Sequence, residues 1–353
     1  MRSSLAAYSF SHFCVDFACF WLLFSRVVPG GMDAQTVALA LLIYNMLAFG
    51  LQPFIGYLCD THPGIPAGLI GCIVAAAGLL LSAAVWPALV LVALGNAFFH
   101  IGGGINSLNS SRMARSGVFV STGALGVALG TLSGAAAHSV ALPLSLLLAS
   151  AALIVWSDPH SKRSAPVRFT ADVSSRLPFT ALALLVALSV VIRSFVGSSL
   201  TLPWKSLSPM YGLLPALCAF AGKAAGGVLG DKLGAKNTGV VSLLLALPCL
   251  AFGSSVPLIA MAGIVLFNLT MPITLCTLAS RLPGHPGLAF GITTLALLVG
   301  NAPTFFFKLP GSASAATLSV MIAVSACCIL LSTRNQKGGL RHDAELSART
   351  PAA

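Results

Sequence analysis

A histidine and an aspartate one helical turn apart, inside an apolar stretch, are the first residues in this chain equipped for chemistry. His12 and Asp16 stand at i and i+4, which puts both side chains on one helix face. Of the eight acidic residues, Asp33, Asp60, Asp158, Asp172, Asp231, Asp343 and Glu345 fall in loops, termini or the ends of apolar runs. Asp16 alone falls within one. A carboxylate in hydrocarbon costs a few kcal/mol unless paired, hydrated or protonated, and such residues often carry function. Two readings stay open: Asp16 is a proton-coupling group tuned by His12, or the pair ties the first helix to its neighbours.

His100 sits in Asn96-Ala-Phe-Phe-His100-Ile-Gly-Gly-Gly104-Ile-Asn106. Three consecutive glycines weaken a helix, so a kink or unwound turn is expected here. Irregular backbone at membrane depth is tolerated only against protein or a water-filled cavity. His100, with Asn96 one turn earlier, is therefore a candidate to line a ligand path; the alternative is a satisfied packing histidine. Arg193 and Lys223 are the cations inside apolar runs of the second half. Arginine keeps its charge, so Arg193 needs a counter-ion, water or an anionic ligand. Lys223 lies two turns before Asp231 and has the option of snorkelling to the surface. Two cations against one carboxylate argue for an anionic ligand.

Other chemistries find no support. Gly102-Gly-Gly104 is followed by no lysine-serine pair, so it is no phosphate loop. The spacing His12-x-x-x-Asp16 occurs in acyltransferases, yet no Ser–His–acid constellation accompanies it. The nine cysteines, Cys14, Cys19, Cys59, Cys72, Cys218, Cys249, Cys276, Cys327 and Cys328, form no C-x-x-C pair. No metal and no cofactor is expected, and the cysteines read as small packing residues.

The elements that must position these residues are apolar helices. With 57% hydrophobic and 8% charged residues in 353, and a mean hydropathy of +0.95, the chain lies far from soluble domains, which carry about a quarter charged residues. Runs of about 20 apolar residues cross a bilayer. Twelve such runs are read at 5–28, 36–59, 65–85, 87–108, 117–137, 139–157, 177–199, 208–230, 237–254, 257–280, 288–308 and 313–332. The first is too long for a cleavable signal peptide and lacks a small-residue cleavage site.

The net charge of +11 is a topology signal rather than a nucleic-acid footprint. With a cytoplasmic N-terminus, 14 of the 19 basic residues fall in cytoplasmic segments and Arg26, Lys205 and Lys308 fall outside. That bias is the positive-inside pattern and puts both termini in the cytoplasm. Trp86, Trp156 and Trp204 near run ends suit the headgroup zone. Residues 1–157 read as an N-terminal six-helix bundle, 158–176 as a basic cytoplasmic linker, 177–332 as a C-terminal bundle and 333–353 as a disordered cytoplasmic tail.

The chain also repeats itself. Gly227-Val-Leu-Gly-Asp231-Lys232-Leu-Gly234 has a partial copy, Gly56-Tyr-Leu-Cys-Asp60, 171 positions earlier (231 − 60). The aspartate there can cap the start of the next helix and accept from a basic residue. Arg112 before Gly117 is echoed by Arg281 before Gly287. Gly117, Gly123, Gly126, Gly130 and Gly134 make the fifth run able to approach a neighbour closely. Duplicated membrane halves are a common plan of secondary transporters.

G-x-L-x-D-K-x-G resembles the loop motif of the major facilitator superfamily. Ser11-His12 with Asp16, Leu51-Gln52-Pro53 through Gly56 to Asp60, Phe99-His100, Ser111-Arg112 with Arg115, and Leu282-Pro283-Gly284 extend the match. Together they resemble the fosmidomycin-resistance-type branch. The resemblance implies an all-α membrane protein of the major facilitator fold, with 12 transmembrane helices in two pseudo-symmetric six-helix bundles. It implies proton-coupled export of a small molecule through the inner membrane, as in drug-efflux antiporters, with uptake as the alternative. A membrane sensor would need a soluble output domain, and an intramembrane enzyme a clustered acid, base and nucleophile. The expected sites are Asp16 and His12 for protons; His100, Asn96, Arg193, Lys223 and Gln52 for substrate; and Gly56, Asp60, Gly227, Asp231, Lys232 and Arg112 for conformational change. Expected partners are a small, anionic substrate, protons and lipid, with no nucleic acid and a monomeric state. Two departures stand out. Ile101-Gly-Gly-Gly replaces the proline and glutamate usual after the fourth-helix histidine, and Thr61-His62 replaces the basic residue after Asp60.

Overall fold

The computed structural model describes residues 2–110, 112–136, 139–157, 177–306 and 315–333. The expected linker 158–176 and all of the tail beyond Thr333 lie outside the described residues. Among the described residues the secondary structure is helical. It forms twelve rods: α1 (Ser4–Val27), α2 (Ala34–Thr61), α3 (Ala67–Leu80), α4 (Val85–Leu108), α5 (Met113–Ala135), α6 (Ala141–Ser157), α7 (Phe179–Ser199), α8 (Pro209–Leu233), α9 (Ala235–Ala251), α10 (Pro257–Ser280), α11 (Pro286–Phe305) and α12 (Ala315–Ser332). Each matches one expected run to within a few residues. Nine are long and apolar enough to cross a membrane; α3, α6 and α9 are shorter, at 14, 17 and 17 residues. The protein is a multi-pass membrane protein.

Local signals explain the boundaries. Asp33 caps α2 by accepting from the N–H groups of Gln35 and Thr36, both at 2.9 Å. Ser208 caps α8 through the Tyr211 N–H, and Gly234, at φ 86°, lets the chain turn straight into α9. Prolines open α8, α10 and α11, where the missing N–H costs nothing. Wide i→i+5 turns interrupt α1 at Leu23–Val27 and α2 at Met46–Gly50. α10 breaks at Leu269, just before Pro272, which cannot supply the helical hydrogen bond.

α4 corrects one expectation. Its three glycines lie in unbroken helix from Val85 to Leu108. A methyl on Gly102 would collide with the Gly68 backbone, one on Gly103 with the Phe119 ring and one on Gly104 with the Phe290 ring. Close packing outweighs the low helix propensity of glycine. The fifth-helix glycines behave as expected: Gly126, Gly130 and Gly134 stand over the carbonyls of Phe13, Phe17 and Trp21 of α1. Trp204 is a second correction. It is 3% exposed, with its indole N–H donated to the Ser254 carbonyl, because the turn at Pro203–Ser206 folds it inward.

α1 packs on α4, α5 and α6, and α7 on α11 and α12; the first six rods meet the last six mainly along α2–α11 and α5–α8. One end of the bundle is pinned by two matching clasps. Asp231, at the end of α8, accepts from the N–H groups of Met113 (2.8 Å) and Ala114 (3.0 Å) at the start of α5. Asp60, at the end of α2, accepts from Gly287 (3.0 Å) and Leu288 (2.8 Å) at the start of α11. The carboxylates therefore cap helices of the opposite half rather than the next helix in sequence. Gly56 and Gly227 allow this: a methyl on Gly56 would strike the Gly287 carbonyl, and one on Gly227 the Met113 carbonyl. A carboxylate at a helix N-terminus gains from both the hydrogen bonds and the helix dipole.

Candidate functional site

α1, α4 and α5 bring the candidate residues of the first half into one buried cluster. His12 is 5% exposed, Asp16 8% and His100 6%. His12 Nε2 lies 3.3 Å from Asp16 Oδ2 and 2.9 Å from His100 Nε2, and His100 Nε2 lies 3.7 Å from Asp16 Oδ1. Asn96 Nδ2 donates to Asp16 Oδ1 at 3.2 Å. His12 Nδ1 faces the Phe119 carbonyl at 2.7 Å and His100 Nδ1 the Asn96 carbonyl at 2.9 Å. The His12 ring stacks on Phe119 at 4.6 Å between centroids. Gly123 makes the cluster possible, since a methyl there would stand 2.4 Å from Asp16 Oδ2 and 2.5 Å from His12 Nε2.

Phe119 and Phe290 lie between this cluster and the clasped end. Their centroids are 6.1 Å apart, and Phe290 is 6.5 Å from His100. Both rings are buried. They form an apolar plug on the clasp side of the ionisable groups.

The second half supplies a different chemistry. Arg193 on α7 is 7% exposed. Its guanidinium contacts Thr274 Oγ1 at 3.2 Å, Thr270 Oγ1 at 3.5 Å and the Met271 sulfur at 2.8 Å. All three belong to α10 just past its break. Among the described residues no carboxylate pairs with Arg193. Lys223 on α8 is partly buried and interacts electrostatically with both Asp16 and Arg193. The interior charges are thus Asp16 in the first half and Arg193 in the second, both buried, with Lys223 half-buried on α8.

Gln52 lies apart from these groups in its bonding. It is fully buried, and its amide donates to the Ala48 carbonyl at 2.6 Å, a bond that supports α2 beside its wide turn. Arg112 is exposed at the turn before α5, and Lys232 is exposed beside the Asp231 clasp.

No known family profile matches the sequence, and no curated protein matches it either. Solved structures do match in shape. A variant of the E. coli fucose:proton symporter superposes with a TM-score of 0.63 at 13% identity, covering 94% of this chain and 98% of that one. A major facilitator superfamily transporter in the outward conformation gives 0.59 at 15% identity, over 93% and 100%. A bacterial homologue of the iron transporter ferroportin, outward-facing, gives 0.58 at 17% identity, over 94% and 96%.

This is the major facilitator fold. Within that fold, several residues of the site escaped sequence reasoning. Thr270, Met271 and Thr274 had no signal beyond two threonines at i and i+4 flanking Pro272. Phe119 and Phe290 read as ordinary core. Gly123 was visible only as one glycine of a packing series.

Proposed function

We propose that the chain is a secondary transporter that moves a small anionic molecule by alternating access, coupled to protons. The carrying observation is that each half buries ionisable groups at membrane depth, Asp16, His12 and His100 in the first and Arg193 in the second, with Lys223 half-buried on α8. On this reading residues 1–157 and 177–332 are two bundles, all twelve rods span the inner membrane, and the protein works as a monomer. The clasped end is cytoplasmic with both termini, because Arg112, Arg115, Lys232, Lys236 and Arg281 gather there and Arg26 and Lys205 lie at the other end. The described conformation is then outward-facing, with Asp60 and Asp231 as the cytoplasmic latches.

Asp16 changes charge as a proton arrives, with His12 and His100 sharing it, while Arg193, Lys223 and Asn96 receive the anion. A neutral Asp16 crosses a closed, dry state more cheaply than a charged one, so protonation and substrate bias the same two-state equilibrium. Export is the preferred direction, from the resemblance to the fosmidomycin-resistance-type branch. Uptake is the second reading, favoured by the shape match to a protein named as a sugar:proton symporter.

The test is reconstitution into vesicles with an imposed pH gradient and a pH-sensitive dye inside. Small phosphonates, phosphates and carboxylates should dissipate the gradient in wild type and not in Asp16→Asn. Comparing right-side-out with inverted vesicles fixes the direction. Anion movement that ignores the pH gradient would refute proton coupling.

A further inference from the structure

We propose that His12, His100 and Asp16 form a binding site for one divalent transition-metal cation of the zinc, cobalt or ferrous type. This concerns the cluster that the transport reading uses for protons, but it rests on the cluster's geometry alone. The first step is the tautomer. His12 Nδ1 stands 2.7 Å from one backbone carbonyl and His100 Nδ1 2.9 Å from another. A carbonyl only accepts, so both Nδ1 atoms carry hydrogen. In the neutral rings both Nε2 atoms then present lone pairs, and they face each other at 2.9 Å. Two lone pairs at that distance repel unless a cation lies between them or alongside.

The third donor completes a ligand set. Asp16 oxygens lie 3.3 Å and 3.7 Å from the two Nε2 atoms, and one donor atom from each of the three residues fits within 4.8 Å. Metal bonds of about 2.0–2.1 Å in a tetrahedron put ligand atoms about 3.3 Å apart. The Nε2–Nε2 separation of 2.9 Å and the His12 Nε2–Asp16 Oδ2 separation of 3.3 Å lie near that value, and the other carboxylate oxygen stands 3.7 Å from His100 Nε2. Two imidazoles and one carboxylate suit zinc, cobalt or ferrous iron and disfavour calcium and magnesium, which prefer all-oxygen shells.

The surroundings are those of a metal centre. Each histidine donates its other ring N–H to a carbonyl, which holds the tautomer and ring angle a metal requires. Asn96 is a positioning residue twice over: its carbonyl receives His100 and its side-chain amide steadies Asp16. Gly123 packs against the Asp16 and His12 donor atoms, so that a methyl added there would collide with both. A fourth ligand, water or an anion, would complete the tetrahedron. Metal and coupling proton would compete for the same lone pairs.

The experiment is a Co2+ titration of the full-length protein in detergent, read by visible absorption. Four-coordinate cobalt gives intense d–d bands and octahedral cobalt weak ones. One equivalent should saturate an intense band in wild type. His12→Ala, His100→Gln and Asp16→Asn should each lose it. Gly123→Ala keeps all three ligands and should also lose it, whereas His62→Ala, on the exposed end of α2, should keep it. Thermal unfolding and elution of every variant establish that it folds, and the glutamine and asparagine variants conserve size for that reason. No saturable band, an octahedral spectrum, a thiolate charge-transfer band from cysteine, or a band surviving in His100→Gln would each overturn the site. A cluster that takes only protons gives the first of these.

Discussion

The two halves share their scaffold and differ in their chemistry. The clasps are near-equal copies: each carboxylate takes two backbone N–H groups at 2.8 and 3.0 Å. The interior sites are opposites. α1 carries Asp16 among histidines, and α7 carries Arg193 among hydroxyls and a thioether. At the 171-residue offset of the clasps, the counterpart of His100 is Met271 (271 − 100), so one helix position titrates and its partner does not. The two halves keep a common frame and carry different interior groups, which the proposed function reads as separate places for a proton and for an anion.

The largest test of that division is Asp16→Asn. It should abolish proton-driven accumulation in vesicles while leaving substrate binding and exchange intact. If the variant still concentrates substrate, the first half holds no coupling group. His12→Ala should instead shift the pH dependence of transport.

Next in size is Arg193→Ala. Hydrogen bonds to a charged group contribute about 1.5–3 kcal/mol, so the half-saturation concentration of an anionic substrate should rise about tenfold to a hundredfold. Arg193→Lys should recover part of this, because the planar fork is lost. Lys223→Ala should act in the same direction but less. Unchanged half-saturation in both alanine variants would remove the anion site from the second half.

The clasps should respond as equals. Asp60→Ala and Asp231→Ala each remove two charge-assisted bonds, worth about 1–3 kcal/mol apiece. Spin labels at Thr61 and Asn237, exposed on opposite halves of the clasped end, should then report a second, longer distance in both variants. A response from one alone would break the symmetry between them.

The smallest expected effect lies away from the comparison, at the cap of α2. The Thr36 hydroxyl, followed by backbone N–H groups, holds the exposed Asp33 carboxyl below the usual carboxylate range. Its contribution is present above the unfolded value of about 3.9 and is lost as pH falls through the lower folded value. The Tm difference between wild type and Asp33→Ala should be small at neutral pH and vanish in acid.

Much of the fold was legible because apolar length is a local property: every rod coincides with a run that could be counted. The i, i+4 pairing of His12 and Asp16 was legible for the same reason. The meeting of His100 with that pair was not, because it depends on α4 crossing α1, which no spacing encodes. Gly102–Gly104 misled in the opposite sense, since propensity describes an isolated helix and these glycines are held by Gly68, Phe119 and Phe290. The destination of Asp60 and Asp231 was hidden because it lies across the molecule, more than a hundred residues away. Arg193 was visible as a buried cation, but its α10 partners look like apolar-helix residues until the break at Leu269 turns them toward it.

Each clasp joins a side chain to bare backbone, and that has a consequence for how such a latch can change. Met113, Ala114, Gly287 and Leu288 contribute only amide hydrogens, which nearly every amino acid owns. The donating positions are therefore free to drift in sequence without losing their hydrogen bonds, except Gly287, where a side chain would meet the Gly56 carbonyl and the Asp60 carboxylate. At Met113, Ala114 and Leu288, proline, lacking that hydrogen, edits the latch from the donating side. Ala114→Pro is thus the substitution that would remove one of the two bonds of its clasp and leave the aspartate in place.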